Sequence, residues 1–333
     1  MADRKHLERL REGAESWNAW RQANSNLTPD LTEANLINAQ LERAVLDGCD
    51  LRGADLSKAQ LSHASLHGAN LDSATLILGD LLGASLNEAN LSGASFFGAF
   101  LFGTRLKSAR LRGANLLGAT LMGADLTGAD LTSAHLMSAN FHEANLSHAD
   151  LSMADLTAAS LVGTRVEGAT FSSCLVHGIA AWRLEGKPRV QSRLILSAKD
   201  EVPIMTSDLE SAQLANLILY GDRMSHALGG TRLKVCLVLG RFRGSRGDIV
   251  DSLADELQGK LYMPLFVDLE RPGSRNLEAL LSRLGAVAAL SIVDTTGLRS
   301  IDPIREVMQT TGSPLLPIRR QNEPAAAFAG EGV

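Results

Sequence analysis

Polar residues able to bind an anionic ligand follow short apolar segments in the carboxy-terminal third of the sequence. They are Arg241, Arg243 and Arg246 after one segment, Asp268 after the next, and Asp294 with Thr295 after a third. Guanidinium groups bind phosphate oxygens bidentately, and the start of a helix behind such a loop adds backbone N–H donors. The set predicts a site for a phosphate-bearing ligand, although neither GxGxxG nor a P-loop is present. The two aspartates have the alternative role of capping the ends of strands.

The elements that would position these residues alternate between strand-like and helix-like patterns. Apolar segments cover 234–239, 263–267, 287–293 and 315–318, and helical patterns between them cover 248–259, 277–284 and 303–308. Strand, helix, strand alternation is typical of a parallel sheet with helices on its faces, whose ligands bind beyond the carboxyl ends of the strands. We therefore predict an α/β three-layer parallel-sheet domain over 231–320, followed by a flexible tail over 321–333.

Composition excludes several classes of protein. The chain has 333 residues and a net charge of −5, so broad binding to a nucleic-acid backbone is not expected. Its three cysteines, Cys49, Cys174 and Cys236, have no metal-ligand spacing, which argues against a disulfide framework and against a metal site. No leader-like or membrane-length apolar run occurs, so we expect a cytoplasmic protein with no membrane partner.

A five-residue period dominates the sequence from Leu31 to Phe171. Every fifth residue is Leu, Phe or Val, and the residue two positions earlier is Ala except at Pro29, Cys49, Gly79, Thr104 and Thr164. This period matches neither the 3.6 of a helix nor the 2 of a strand, and it indicates a repeat array. Burying each Leu contributes roughly 2 kcal/mol against an ordering cost of ~1 to 2 per residue, so only a long stack is stable.

The units Ala54-Asp55-Leu56, Ala124-Asp125-Leu126 and Ala144-Asn145-Leu146 resemble the A(D/N)LXX units of the pentapeptide-repeat family. The resemblance implies a right-handed quadrilateral β-helix, in which four pentads form one square coil and Leu and Ala point inward. We expect this solenoid over 28–178 and a connector with a helix over 179–230. A single amino-terminal capping helix over 1–27 would close the core with Leu7, Leu10, Ala14, Trp17 and Trp20.

Four pentads per coil would place residues twenty apart above one another, so that outward-facing columns can be identified from the sequence. Two of the four columns are apolar in the middle coils, and the other two are polar. The expected interaction surface comprises Ile77, Leu82, Phe97, Phe100, Phe102, Leu117, Met122 and Met137. A large exposed apolar patch usually marks an interaction surface, although singly exposed apolar residues are also common.

Three occupants would suit this surface. A second copy of the rod would make a homo-oligomer, the carboxy-terminal domain of the same chain would dock intramolecularly, and a foreign protein would be a partner. A nucleic-acid partner is not expected.

The order of elements from 232 to 318 resembles TIR-type and related nucleotide-handling flavodoxin-like domains, and the pairing with a pentapeptide rod resembles bacterial proteins of that type. In catalytic members a glutamate on the helix after the third or fourth strand acts at the ribosyl centre during nicotinamide-glycoside cleavage. Glu306 holds a comparable topological place, so the resemblance implies Glu306 as a catalytic residue and NAD or another nucleotide as ligand. The serine and tryptophan-cysteine pattern that precedes this glutamate is missing from 297–306. The alternative interpretation is that Glu306 is an exposed helix residue without a catalytic role.

Three functions follow from these patterns. The first is a non-enzymatic repeat scaffold for protein contact or self-assembly, coupled to a TIR-like signalling or nucleotide-binding domain. The second is an NAD glycohydrolase activated by assembly. The third is a DNA-mimicking, gyrase-binding rod, against which stand the basic residues that interrupt its acidic ones: Arg52, Lys58, Arg105, Lys107, Arg110 and Arg112.

Overall fold

The computed structural model describes residues 2–197, 201–220, 233–242, 247–269, 277–296 and 301–318. It contains two compact units, Met1–Gln191 and Ser192–Val333. None of the helices in the described ranges is long and apolar enough to cross a membrane.

The first unit is a β-helix with a repeat of twenty residues. Parallel bridges join residues twenty apart, from Asp30 with Asp50 to Arg165 with Glu185. The twenty-residue stacking predicted from the sequence is therefore confirmed. The coils continue past the predicted end at residue 178, because Val176 and Ala181 extend the buried inward column.

In the units that carry Asp or Asn before the inward Leu, this side chain stabilises the turn that follows. Asp55 Oδ1 accepts a hydrogen bond from the backbone N–H of Ser57 at 3.0 Å, and Asp150 Oδ1 accepts from Ser152 at 2.9 Å. The second turn residue then adopts a left-handed φ, 57° at Lys58. Side-chain acceptors of this kind hold tight turns, and a left-handed φ favours Gly, which explains both preferences in the repeat.

The amino-terminal cap consists of two helices, α1 (Arg4–Arg11) and α2 (Ala14–Ala23), rather than the single helix that we expected. The break falls at Gly13, whose φ of 110° is accessible mainly to glycine. Leu10 and Trp17 are buried, and the Nε1–H of Trp17 donates to the carbonyl of Val45 at 2.8 Å. The cap thus covers the apolar end of the first coil.

The unit beyond the rod contains one six-stranded sheet with the order β3–β4–β6–β5–β7–β8. The rod supplies β1 (Thr170–Ser172), which pairs with β2 (Val190–Ser192) in a separate two-stranded sheet. The strands of the larger sheet are β3 (Leu194–Ile195), β4 (Ile204–Thr206), β5 (Leu233–Gly240), β6 (Met263–Asp268), β7 (Ala288–Asp294) and β8 (Leu315–Ile318). The helices within the described ranges of this unit are α3 (Leu209–Tyr220), α4 (Gly247–Gly259), α5 (Leu277–Val287) and α6 (Asp302–Thr311).

The sheet is mixed, not purely parallel as the sequence led us to expect. Strands β5 to β8 are parallel, whereas β4 runs antiparallel to both β3 and β6. Strands β3 and β4 both come from the segment that we assigned to a connector. Strands of two or three residues are too short to show a period of two, so the sequence carried no signal for them.

Helices cover both faces of this sheet. Val250 and Ala254 of α4 pack with Val238 and Ile292 in one core cluster. Ser291, which points to the opposite face because side chains alternate along a strand, contacts Met308 of α6, its Oγ lying 3.4 Å from the sulfur. The described elements therefore form three layers.

Candidate functional site

The apolar residues predicted to form a surface on the rod differ in exposure. Phe100 and Phe102 are the most exposed of them, at 54% and 51% of their accessible area. Leu82, Phe97 and Met137 are also exposed, whereas Ile77, Leu117 and Met122 are half-buried. The most prominent apolar surface is therefore concentrated around a single pentad.

A groove of about 570 Å³ brings part of this set together. Its lining residues are Asn38, Lys58, Gln60, Leu78, Asp80, Leu82, Phe100 and Phe102. Three of the predicted surface residues, Leu82, Phe100 and Phe102, belong to it. The remaining five, Ile77, Phe97, Leu117, Met122 and Met137, are not among its lining residues.

The wall of the groove is a column of turn residues, of which the sequence pattern placed only Leu78 on the same apolar side as Phe100. Asn38, Lys58 and Leu78 are spaced by twenty residues, and each holds the left-handed φ of a second turn position. The next member of the column is Gly98, and a Cβ added there would lie 2.9 Å from Leu78 Cδ2. Leu78 therefore packs over the backbone of Gly98. The twenty-residue spacing is the signal in the sequence for the column itself, but not for the groove that it lines.

Phe100 and Phe102 form one end of the groove, which we call the phenylalanine shelf. The two residues flank the buried Leu101 within a single pentad, and Phe100 takes the position that Asp or Asn holds in half of the others. Bridges pair Phe100 with Asp80 on one side and with Thr120 on the other. Two exposed aromatic rings thus replace a turn acceptor and its polar neighbour.

The charged residues of the groove are Lys58 and Asp80, in adjacent coils. Asp80 Oδ1 accepts a hydrogen bond from the backbone N–H of Leu82 at 3.0 Å, as in the other turns. Across the described ranges, no carboxylate lies within 4.0 Å of the Lys58 ammonium. The groove therefore presents an unpaired cation beside apolar walls.

Basic residues form a separate cluster, comprising Arg105, Lys107, Arg110 and Arg112. All four are exposed, and Lys107 pairs with Asp125 at 3.2 Å. Many of the rod's acidic groups serve as turn acceptors, as Asp125 does for the backbone N–H of Thr127. The carboxylates of the rod thus have a structural role in the repeat.

The carboxyl ends of three parallel strands bring Asp268, Gly240 and Asp294 to one edge of the sheet. Gly240 is the register partner of Asp268, and a Cβ added to Gly240 would lie 3.2 Å from Asp294 Cβ. Both carboxylates are buried, Asp268 being 3% exposed and Asp294 6%. The chain passes from β5 to β6 on one side of β5, and then from β6 to β7 on the other side of β5. This reversal makes the edge a topological switch point.

Asp294 and Thr295 at this edge make hydrogen bonds within the fold. Asp294 Oδ1 accepts a hydrogen bond from the backbone N–H of Thr296, and Thr295 donates from both its N–H and its hydroxyl to the carbonyl of Ile318. Arg241 is half-buried, while Arg243 and Arg246 lie outside the described residues. Thr295 therefore fastens β8 to β7.

Glu306 lies on α6 and is exposed, between the buried Ile304 and Met308. No group of three or more His, Cys, Asp or Glu residues that could hold a metal ion occurs in the described part of the chain. Burial raises the pKa of the Cys49 and Cys174 thiols to about 12, so neither is a thiolate at neutral pH.

Comparison with known proteins concerns the rod. The family model for pentapeptide repeats matches residues 30–68, 64–101, 101–136 and 134–172. No curated protein matches the chain.

Solved structures similar to the chain are also pentapeptide-repeat proteins. HetL, involved in heterocyst differentiation regulation in the cyanobacterium Nostoc sp. strain PCC 7120, is 28% identical over 54% of this chain and 96% of its own, with a TM-score of 0.30. A protein of the Arabidopsis thaliana thylakoid lumen is 29% identical over 31% and 71%, with a TM-score of 0.30. QnrB1, a plasmid-mediated fluoroquinolone resistance protein, is 16% identical over 46% and 87%, with a TM-score of 0.28.

Proposed function

Because residues 30–172 belong to the pentapeptide-repeat family, we propose that this chain is a non-enzymatic scaffold whose rod docks a protein through the groove and the phenylalanine shelf. The observation that carries the proposal is the exposure of Phe100 and Phe102, both more than half accessible, at the end of an open groove. Aromatic anchors surrounded by polar residues are the usual centre of a protein interface. A regular repeat is a rigid platform on which such anchors are already ordered.

Site-specific photocrosslinking in the cells that make the protein tests this function. A photoreactive phenylalanine analogue replaces Phe102, and a matched variant carries the analogue at Met153, which is equally exposed but lies outside the groove. We expect a protein adduct from position 102 and none from position 153. Absence of any protein adduct at position 102, whether with a second copy or with another protein, would contradict the proposal.

The carboxy-terminal unit adds, in this proposal, a TIR-like or flavodoxin-like domain that signals by contact or binds a nucleotide. Four parallel strands in the order β6–β5–β7–β8, with helices on both faces, support this assignment. Buried Asp268 and Asp294 beside Gly240 mark the edge where a ligand would bind. Calorimetric titration with NAD and with ATP tests it, using Arg241→Ala as the variant expected to weaken binding.

An NAD glycohydrolase is the competing function, and the position of the buried carboxylates at the switch point favours it. Incubation of the assembled chain with NAD, followed by measurement of released nicotinamide, separates the two. The scaffold proposal expects no release above that of a buffer blank. If the chain releases nicotinamide, and if Glu306→Ala abolishes this release without changing the melting temperature, the glycohydrolase function would be established.

A further inference from the structure

The groove has two unlike ends, one aromatic and one polar. One end is the phenylalanine shelf, and the other is the polar end formed by Asn38, Lys58 and Gln60. Lys58 of the polar end and Asp80, which carry opposite charges, lie in adjacent coils. A two-fold axis that crosses the groove at its middle exchanges the shelf with the polar end, and Lys58 with Asp80.

We propose that the occupant of the groove is the phenylalanine shelf of a second copy of this chain, in an isologous dimer of antiparallel rods. The proposal deepens the docking function above and rests on it. In this dimer the shelf of each copy covers the polar end of the other's groove. Lys58 of each copy pairs with Asp80 of its partner, so that the contact contains two equivalent ion pairs.

Charge complementarity favours a second copy as the occupant. Lys58 has no carboxylate within 4.0 Å in the described part of its own chain, and only one oxygen of Asp80 is engaged, by the backbone N–H of Leu82. The Lys58 ammonium can therefore donate to a carboxylate, and the second oxygen of Asp80 can accept from an ammonium. An isologous contact requires this reciprocity, since one surface patch must complement itself.

The exposed apolar area is of the size that a dimer requires. Aromatic side chains bury 150 to 250 Å² each, so Phe100 and Phe102 at about half exposure offer roughly 200 Å², and Leu78 with Leu82 bring the patch to roughly 300 Å². A standard interface buries about 800 Å² per partner, of which a little over half is apolar. The patch on each copy thus supplies most of the apolar part.

The mass of the full-length protein across a dilution series provides the first test. We expect a dimer that dissociates on dilution, and a monomer for Phe102→Asp at every concentration used. Met153→Asp introduces the same charge at an equally exposed position outside the groove and should leave the dimer intact. A parent that stays monomeric, or a Phe102→Asp variant with the mass of the parent, would overturn the proposal.

Mixing two charge variants provides the sharper test. Lys58→Glu alone places two carboxylates together in the dimer, and Asp80→Lys alone places two ammonium groups together, so each variant should be monomeric. In an equal mixture every facing pair is again of opposite sign, and dimers should form between the two variants. No association on mixing, with both variants shown by circular dichroism to be folded, would exclude the two-fold contact.

The photocrosslinking experiment distinguishes failure of this inference from failure of the docking function. An adduct between two copies at position 102 supports both. Adducts exclusively with other proteins would leave the docking function standing and remove the dimer. Absence of all adducts would remove both.

Discussion

The hydroxyl of Thr104 donates a 3.0 Å hydrogen bond to the backbone carbonyl of Leu81, which lies in the preceding coil. Thr164 makes the same bond to Phe141 at 2.8 Å, and the thiol of Cys174 lies 3.1 Å from the carbonyl of Leu151. All three replace the Ala of the repeat and are buried. These three replacements in the Ala column are therefore polar groups that are satisfied within the core.

Replacing Thr104 with Val keeps the volume of the side chain and removes its hydrogen bond. We expect the free energy of unfolding to fall by about 1 kcal/mol, because the Leu81 carbonyl retains only its bond from the N–H of Ala84. Urea denaturation followed by circular dichroism measures the change. Thr104→Ser is the control that retains the hydroxyl, and a Val variant as stable as the parent would show that the bond contributes nothing.

Gly98 and Gly118 form a matched pair in the same column of turn residues as Leu78. Both have a left-handed φ, 61° and 66°, but a Cβ at Gly98 would lie 2.9 Å from Leu78 Cδ2, whereas one at Gly118 would meet nothing within 4 Å. Alanine at either position incurs a strain of about 1 kcal/mol. We expect a greater loss of unfolding free energy for Gly98→Ala than for Gly118→Ala in urea denaturation. Equal losses would mean that Leu78 moves aside freely.

Removing the indole of Trp17 should uncover the end of the rod. Trp17 is fully buried, and we expect Trp17→Ala to lower the free energy of unfolding by about 3 to 5 kcal/mol. Trp17→Phe, which loses the bond to the Val45 carbonyl but keeps an aromatic ring, should lose less. The half-buried Trp20 provides a control through Trp20→Ala, and thermal denaturation ranks the variants. An equal effect of both alanine variants would argue against Trp17 as the residue that closes the core.

Protonation of the Asp50 carboxylate should make the rod less stable in acid. Its two carboxylate oxygens accept hydrogen bonds from the Arg52 guanidinium, at 2.8 and 2.7 Å, and this lowers the pKa of the carboxyl below its usual value. A group with a lowered folded-state pKa stabilises the fold above its unfolded pKa of about 3.9, and that stabilisation is lost as the pH falls through the folded value.

The expected measurement is a difference in melting temperature between the parent and Asp50→Asn that is present at neutral pH and vanishes in acid. The asparagine keeps an acceptor for the backbone N–H of Arg52 and removes the ionisation. The difference should be small, because the pair is partly exposed to solvent. A difference that does not vary with pH would contradict the assignment.

The carboxy-terminal unit shows where prediction from the sequence was limited. Strands β5 to β8 and the helices between them follow long apolar or amphipathic segments, which local patterns identify. The antiparallel β3 and β4 were missed, because Leu194 and Ile204 are buried by partners distant in sequence. The roles of Asp268, Asp294 and Glu306 stay predictions, since the edge they were assigned to includes residues outside the described ranges.

The sequence by itself determined the repeat, its inward Leu and Ala columns, the turns that carry Asp or Asn and the stacking of residues twenty apart. It did so because each pentad forms the same local structure and every coil repeats the same contacts. The tertiary structure alone decided that Asn38, Lys58, Asp80 and Phe102 line one groove. That grouping depends on which turn residues project at a corner of the stacked coils, and on Gly98 leaving room for Leu78, neither of which a pattern within one pentad contains.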